Sequence, residues 1–498
     1  MEDYIFLSGC DGVHQYIIER SGEVWKQPAC CEILFLRRNF PETAVFDWTG
    51  DIPQADAVWK WRQGYLPVLE ISDKNNKLEL LVSGEHLLVR KNHLDVRAFP
   101  PCDSPAERFE QELVRIQQRW DDFFSRCLQP IVPAHHHQSA WKSCWVQALS
   151  AYRSRHPRYG AGHYAYSVHD GFPPTTIAMT DALWQFGLSG MSLDLMDYFL
   201  ERFILDNGSF DYYGPSLAEY GMILKNLAAY STAEEGRDFL HKHKQTILSL
   251  TRLLYRQRNP LINGGEKNRL LRGVPEADTR DVEDVYLHNN AWVWRGLKEI
   301  ARAAETLQWR EMAVEADIEA EDLQQCIRRG ISQFIARGEI VPYVLKADFS
   351  LRDFTAGRDD SYANYRYYPE LLESGFLTRD EALKIIETRE QCKGEFCGMT
   401  LFHYKAAFPE GSPEADAVPE FGCNHWPIYS YGQALAVLGE KDRLCKLIEC
   451  HYFNYQSRDT FTAYEGIDAD SVVRRAITDW CVPAQLVYPR LLLAGSRI

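Results

Sequence analysis

The sequence predicts a mainly α chain in which six helical hairpins form an (α/α)6 toroid, preceded by an antiparallel β-sandwich. Three observations predict it. Residues 1–98 carry short apolar runs cut by turn residues. A proline-rich break and one amphipathic helix follow over residues 99–138. From residue 139 to 498, helical segments are joined by links that alternate short and long, and the long links hold the aromatics and carboxylates.

In the first region the strand-like runs are Tyr4–Leu7, Gln15–Ile18, Cys31–Leu36, Ala44–Asp47, Leu66–Ile71, Lys77–Val82 and His86–Arg90. Ser21-Gly22, Phe40-Pro41 and Ser83-Gly84 separate some of them. Short, closely spaced strands suggest a sandwich. With no acid-rich loop, the region is expected to play a supporting role. Ala106–Cys127 repeats apolar residues at helical spacing (Phe109, Leu113, Ile116, Trp120) and reads as a linker helix. His135, His136 and His137 follow it. Adjacent residues on a loop rarely ligate one ion without further ligands, so a solvated loop is expected there and no metal.

The helical segments expected are Ser139–Ser154, Thr175–Leu188, Ser192–Leu205, Ser216–Tyr230, Ala233–Arg258, Asn289–Leu307, Arg310–Ala336, Tyr362–Ser374, Thr378–Cys392, Trp426–Leu438, Lys441–Phe453 and Val472–Leu493. Thr378 with Glu381, and Ser216 with Glu219, match the capping-box pattern. Gly375 and Gly439 stand where helices end. Hairpins joined alternately by short and long links can close into a ring, which puts all the long loops at one end, over the N-termini of the even-numbered segments. Those segments are rich in small residues (Ala291, Gly296, Gly432, Ala434, Ala436), as closely packed inner helices require. Loops gathered at the mouth of a scaffold are where function concentrates.

Composition narrows the function. The 498 residues carry a formal net charge of -15, which repels nucleic acid and anionic membranes. No apolar run approaches the roughly 20 residues of a membrane span. The acidic start Met1-Glu2-Asp3 predicts no secretory signal, and 13 cysteines without metal-type spacing predict free thiols in a cytoplasmic setting. Aromatics make up 13% of the chain, enough for a large core or for a cleft lined with rings of the kind sugars stack on. Phosphate-binding, zinc-protease, EF-hand and serine-hydrolase motifs are missing, so no cofactor is expected.

The long loops supply the candidate site residues. The first holds His163, Tyr164, Tyr166, His169, Asp170 and Gly171; Asp170 could bind sugar hydroxyls or hold a turn. The second holds Tyr212 and Tyr213 after Asp211, a possible stacking wall. The third concentrates Glu276, Asp278, Asp281, Glu283 and Asp284, then runs through Tyr286 onto Trp292 and Trp294, and its acids meet the positive end of a helix dipole. The fourth brings Asp359 and Asp360, caps or hydroxyl ligands. The fifth ends on His425 and Trp426. The sixth contains Tyr464, Glu465 and Gly466.

This order of parts resembles the six-hairpin (α/α)6-toroid glycosidase superfamily, whose members include glucoamylase-like and trehalase-like enzymes. The resemblance is architectural and covers about residues 1–495; the trehalase-type and glucoamylase-type signatures are missing. It implies a general acid before the sixth helix and a general base before the twelfth. Asp278 is the first choice for the acid, with Asp284 and Glu276 next, and Glu465 is the base. Such a pair needs one carboxyl kept protonated and the other ionised. A gap of about 6.5–9.5 Å between them means inversion and one of about 5–5.5 Å retention; inversion is what the resemblance implies. Tyr212, Tyr213, Tyr286, Trp292, Asp360, His425, Trp426, Tyr464 and Asp170 are the expected substrate contacts, and a small carbohydrate the expected partner.

Two other classes fit the same ring. A polysaccharide lyase or sugar epimerase would use Tyr and His, for which His163, His169, His288, His403 and His425 are candidates. A non-catalytic carbohydrate-binding protein would keep the aromatic wall without the carboxylate pair. A phosphorylase would need a basic site, with Arg272, Arg280 and Arg358 as loop candidates. The sequence leaves the sugar, the linkage and the oligomeric state open.

Overall fold

The computed structural model describes residues 4–10, 12–27, 44–132, 134, 136–160, 171–212, 216–259, 269–276, 282–346, 349–351, 353–392, 394–396, 398–425, 427–468 and 481–498. The chain divides into two compact units. One comprises Met1–Asp170, Gln185–Leu188 and Asp442–Ile498, the other Gly171–Trp184 and Ser189–Lys441.

The first unit opens with two antiparallel sheets. One pairs β1 (Tyr4–Ser8), β2 (Gln15–Glu19), β3 (Glu23–Gln27) and β4 (Phe46–Asp47) in that order; the other pairs β5 (Val58–Arg62), β6 (Leu66–Ser72), β7 (Lys77–Ser83), β8 (His86–Lys91) and β9 (Asp95–Phe99). Side chains from both sheets, among them Ile5, Tyr16, Val24, Trp59, Leu69, Leu80 and Val89, share one buried core, as a sandwich requires. Three of these strands, β3, β5 and β9, were not expected. β5 alternates cleanly, with Trp59 and Trp61 buried and Val58 and Lys60 outside. The expected strand Cys31–Leu36 lies outside the described residues.

The linker helix is α1 (Pro105–Arg126), which buries Phe109, Leu113, Ile116 and Trp120 as expected. The histidine run departs from its expected solvated loop. His136 opens α2 (His136–Ser150), and His137 is fully buried, because its ring is held by Tyr488 on α16 (Val482–Gly495). α16 packs along α2, and with α15 (Lys441–Cys450) these helices complete the first unit. The expected start of the last helix at Val472 lies outside the described residues.

The second unit contains α3 (Pro173–Gln185) up to Trp184, α4 (Ser189–Phe203), α5 (Leu217–Tyr230), α6 (Glu234–Lys242), α7 (Lys244–Gln257), α8 (Leu287–Thr306), α9 (Arg310–Ala336), α10 (Arg358–Tyr362), α11 (Tyr368–Glu373), α12 (Arg379–Gln391), α13 (Pro413–Ala417) and α14 (Ile428–Leu438). The segment read as one helix over Ala233–Arg258 is two, broken at His243, whose ring turns to Asp197 at 2.7 Å. A π-helical turn over Ala363–Tyr367 joins α10 to α11 where one regular helix was expected. Small residues permit the close packing expected of inner helices. A Cβ on Gly221 of α5 would stand 2.1 Å from the Trp292 carbonyl oxygen of α8, and one on Gly296 2.6 Å from the Gly221 carbonyl oxygen. The Thr378–Glu381 capping box forms. The Ser216–Glu219 box does not cap α5, since Glu219 is committed elsewhere.

Candidate active site

In the second unit the loop before α8 is fixed at both ends. Gly273 and Asp284 exchange backbone hydrogen bonds at 3.1 and 3.0 Å, which holds these two positions together. Three buried residues on the first turn of α8 then hold its N-terminal arm. His288 Nε2 lies 3.0 Å from the Pro275 carbonyl oxygen. Asn289 donates from Nδ2 to the Val274 carbonyl oxygen at 2.9 Å, and its Oδ1 accepts from Ala218 N of α5 at 3.0 Å. Asn290 donates to Leu271 O at 3.0 Å and accepts from Leu271 N at 2.8 Å. These short polar side chains take the place of a strand ladder in satisfying the loop backbone.

Glu276, two residues beyond Val274, points into a buried charge cluster built on Arg366. That guanidinium donates from Nη1 to Glu276 Oε2 at 2.7 Å, from Nη2 to Glu219 Oε1 at 2.7 Å and from Nε to Glu370 Oε1 at 2.9 Å. Ser216 donates to the other oxygen of Glu219, and Tyr365 donates to Glu276 at 3.4 Å. The first turn of α5, the loop before α8 and the segment leading into α11 therefore meet at one guanidinium.

Three carboxyls around one cation cannot all ionise in a dry interior. Burial, with Glu219 and Glu276 adding to it against the opposing Arg366, raises Glu370 to about 8. It therefore holds its proton at neutral pH. Burial also lowers His288 to about 3, with Arg366 acting in the same sense, so that imidazole is neutral. The ring stacks on Tyr367 with centroids 4.8 Å apart. Burial works against the charge on Arg366, but the three glutamates outweigh it and raise its pKa further.

Among the expected acids, Asp278 lies outside the described residues. Glu276 belongs to the Arg366 cluster. Asp284 is 15% exposed and pairs with Lys346 Nζ at 2.6 Å. In the first unit, Glu465 accepts from the Tyr159 hydroxyl at 3.1 Å and stands beside the buried Gly466, partly open to solvent.

The expected substrate contacts divide similarly. Asp170, Tyr213 and Trp426 lie outside the described residues. Tyr212 is half-buried, its ring edge-on to Phe172 at 5.5 Å. Asp360 accepts from the Tyr343 hydroxyl at 2.9 Å. Tyr286 precedes α8 and packs on His288 and Tyr367. Three placements depart from the expected stacking wall. Trp292 is 2% exposed at the α5–α8 crossing, Tyr464 is 1% exposed with its hydroxyl on Tyr4 O at 3.0 Å, and His425 is fully buried. Rings enclosed this way pack the interior and offer no open face.

Glu219, His288, Asn289, Asn290, Arg366 and Glu370 were not assigned to the site from sequence, apart from His288 as a rival's candidate. Asn289-Asn290 at a helix start after an acidic loop is the signal that was there to find, because both residues favour turns and caps over helix interiors.

No protein-family model matches the chain, and no curated protein matches it. Among solved structures it is similar to a bacterial glucoamylase complexed with acarbose, with a TM-score of 0.59 at 10% sequence identity over 99% of this chain and 93% of that one. The likeness shows the fold: the chain is a mainly helical (α/α)6 toroid of hairpins with an N-terminal antiparallel β domain.

Proposed function

We propose that the protein is a glycoside hydrolase acting on small oligosaccharides or glycosides through two carboxylates. The observation that carries the reading is the convergence of Glu219 on the first turn of α5, Glu276 in the loop before α8 and Glu370 in α11 on Arg366. Function gathers at the mouth of a hairpin scaffold, and one solved structure similar in fold is a bacterial glucoamylase complexed with acarbose.

The cluster also sorts the roles. Glu276 is buried and taken up by Arg366, so it has no open route to a sugar. Glu276 then anchors the loop, and Asp284 is paired with Lys346. Asp278, between them in sequence, is the general acid. Glu465, which accepts a hydrogen bond from the Tyr159 hydroxyl, is the base that activates water. Inversion of the anomeric configuration is the stereochemistry proposed for this pair. Tyr212 and Asp360, with Asp170, Tyr213 and Trp426, bind the sugar, and the buried Tyr286 packs against His288 and Tyr367.

Every described cysteine is free, which supports a reducing, cytoplasmic setting and so short substrates. Among the described residues no helix is long and apolar enough to cross a membrane.

The test is a screen of oligosaccharides and aryl glycosides, with the first-formed anomer of any product followed by proton NMR. Release of a sugar with inverted configuration supports the reading. Elimination products carrying a double bond, or epimerised sugar without bond cleavage, would replace it with the lyase or epimerase class.

A further inference from the structure

The histidine run offers a second site, separate from the sugar chemistry. His136 and His137 on the first turn of α2 and Glu449 on α15 bring one ligand atom each to within 4.8 Å of one another. We propose that these three residues bind a divalent transition-metal ion of the zinc type, clamping α2 to α15.

The donor set favours this class of ion. Two imidazole nitrogens and one carboxylate oxygen suit zinc, cobalt or nickel better than calcium or magnesium, which prefer all-oxygen shells. Bonds of about 2.0–2.1 Å put tetrahedral ligand atoms about 3.4 Å apart. His137 Nε2 and Glu449 Oε1 are 3.1 Å apart, so an ion between them needs an opening of only a few tenths of an ångström. His136 is exposed and makes no hydrogen bond to a described residue, so its ring is free to close on the third position. The fourth is left to water.

The buried partner is already oriented for the task. His137 Nδ1 is hydrogen-bonded to the Tyr488 hydroxyl, the outer contact that commonly fixes a metal-binding imidazole. On binding, the single ring proton moves from Nε2 to Nδ1, where the Tyr488 oxygen accepts it, and the freed Nε2 lone pair goes to the ion. Tyr452 closes one side, with ring centroids 4.5 Å from His136 and 4.9 Å from His137. Two facts decide between an ion and a simple His–Glu hydrogen bond. Glu449 is 43% exposed, and among the described residues no lysine or arginine pairs with it. A comparable trio, Asp197, Glu201 and His243, is instead filled by Lys242, which bonds both acids.

The test uses the full chain, free of any affinity tag and stripped with EDTA. Zinc is titrated by calorimetry, cobalt by its visible absorption, and thermal stability is read with and without zinc. One saturating equivalent is expected, with tetrahedral-type cobalt bands and a raised melting temperature. His136→Ala and Glu449→Gln should each weaken binding at least tenfold, and Tyr488→Phe about tenfold. His136 and Glu449 are partly or fully exposed, so His136→Ala and Glu449→Gln should keep the fold, and the melting temperature of each metal-free variant checks this. Absence of saturable binding, or binding unchanged in both His136→Ala and Glu449→Gln, overturns the proposal.

Discussion

Arg366 Nη1 lies 2.7 Å from Glu276 Oε2, and both residues are buried. One guanidinium thus fixes the acidic loop and, through Glu219, the first turn of α5. Arg366→Met leaves buried carboxylates without their cation and should destabilise the fold by about 3–5 kcal/mol. Arg366→Lys should recover only part of this, because an ammonium cannot reproduce the planar fork. Urea denaturation of the two variants checks both expectations.

Stability from the same cluster should be highest at mildly acidic pH, between about 4.5 and 6.5, where the two contributions below offset each other. Glu370 has a folded pKa of about 8 against an ordinary 4.5, so its contribution is complete below 4.5 and is lost as pH rises through about 8. His288, lowered from 6.5 to about 3, contributes fully above 6.5 and loses its contribution as pH falls through about 3. Glu370→Gln keeps the neutral shape and should flatten the alkaline limb, giving a higher melting temperature than the parent above pH 8. Melting temperatures measured across pH test the sign.

The α5–α8 crossing allows no added methyl. With a Gly221 Cβ 2.1 Å from the Trp292 carbonyl oxygen, a backbone atom that cannot rotate away, Gly221→Ala should cost about 1–3 kcal/mol. Gly375→Ala makes a useful contrast. Its site is open, and only its φ of +69° penalises a side chain. Chemical denaturation of the pair separates steric from backbone cost.

Thr378 accepts from Glu381 N while Glu381 reaches back to Thr378 N at 2.9 Å. Thr378→Ala should therefore cost about 0.5–2 kcal/mol in thermal or urea unfolding.

Local signals were legible wherever local physics decides. The Thr378 box, the Arg310–Ala336 helix and the small residues of α8 all follow from spacing. Long-range chemistry overrode pattern elsewhere. Ser216 and Glu219 match the same capping motif as Thr378 and Glu381, yet Arg366, 147 residues along the chain, takes Glu219 away. His137 read as solvated because its partner Tyr488 is 351 residues distant. Arg366 itself drew no notice, since one arginine among tyrosines carries no spacing signal until three glutamates surround it. Trp292 and Tyr464 show the converse: an aromatic next to a polar loop reads as a wall and packs as core.

The two-carboxylate mechanism is tested most directly by kcat/KM of Asp278→Asn and Glu465→Gln on the best substrate from the glycoside screen, with unfolding temperatures measured alongside. Each variant should fold normally and lose about 10²–10⁴-fold in kcat/KM. A folded Asp278→Asn or Glu465→Gln protein that turns over at the parent rate would contradict the account.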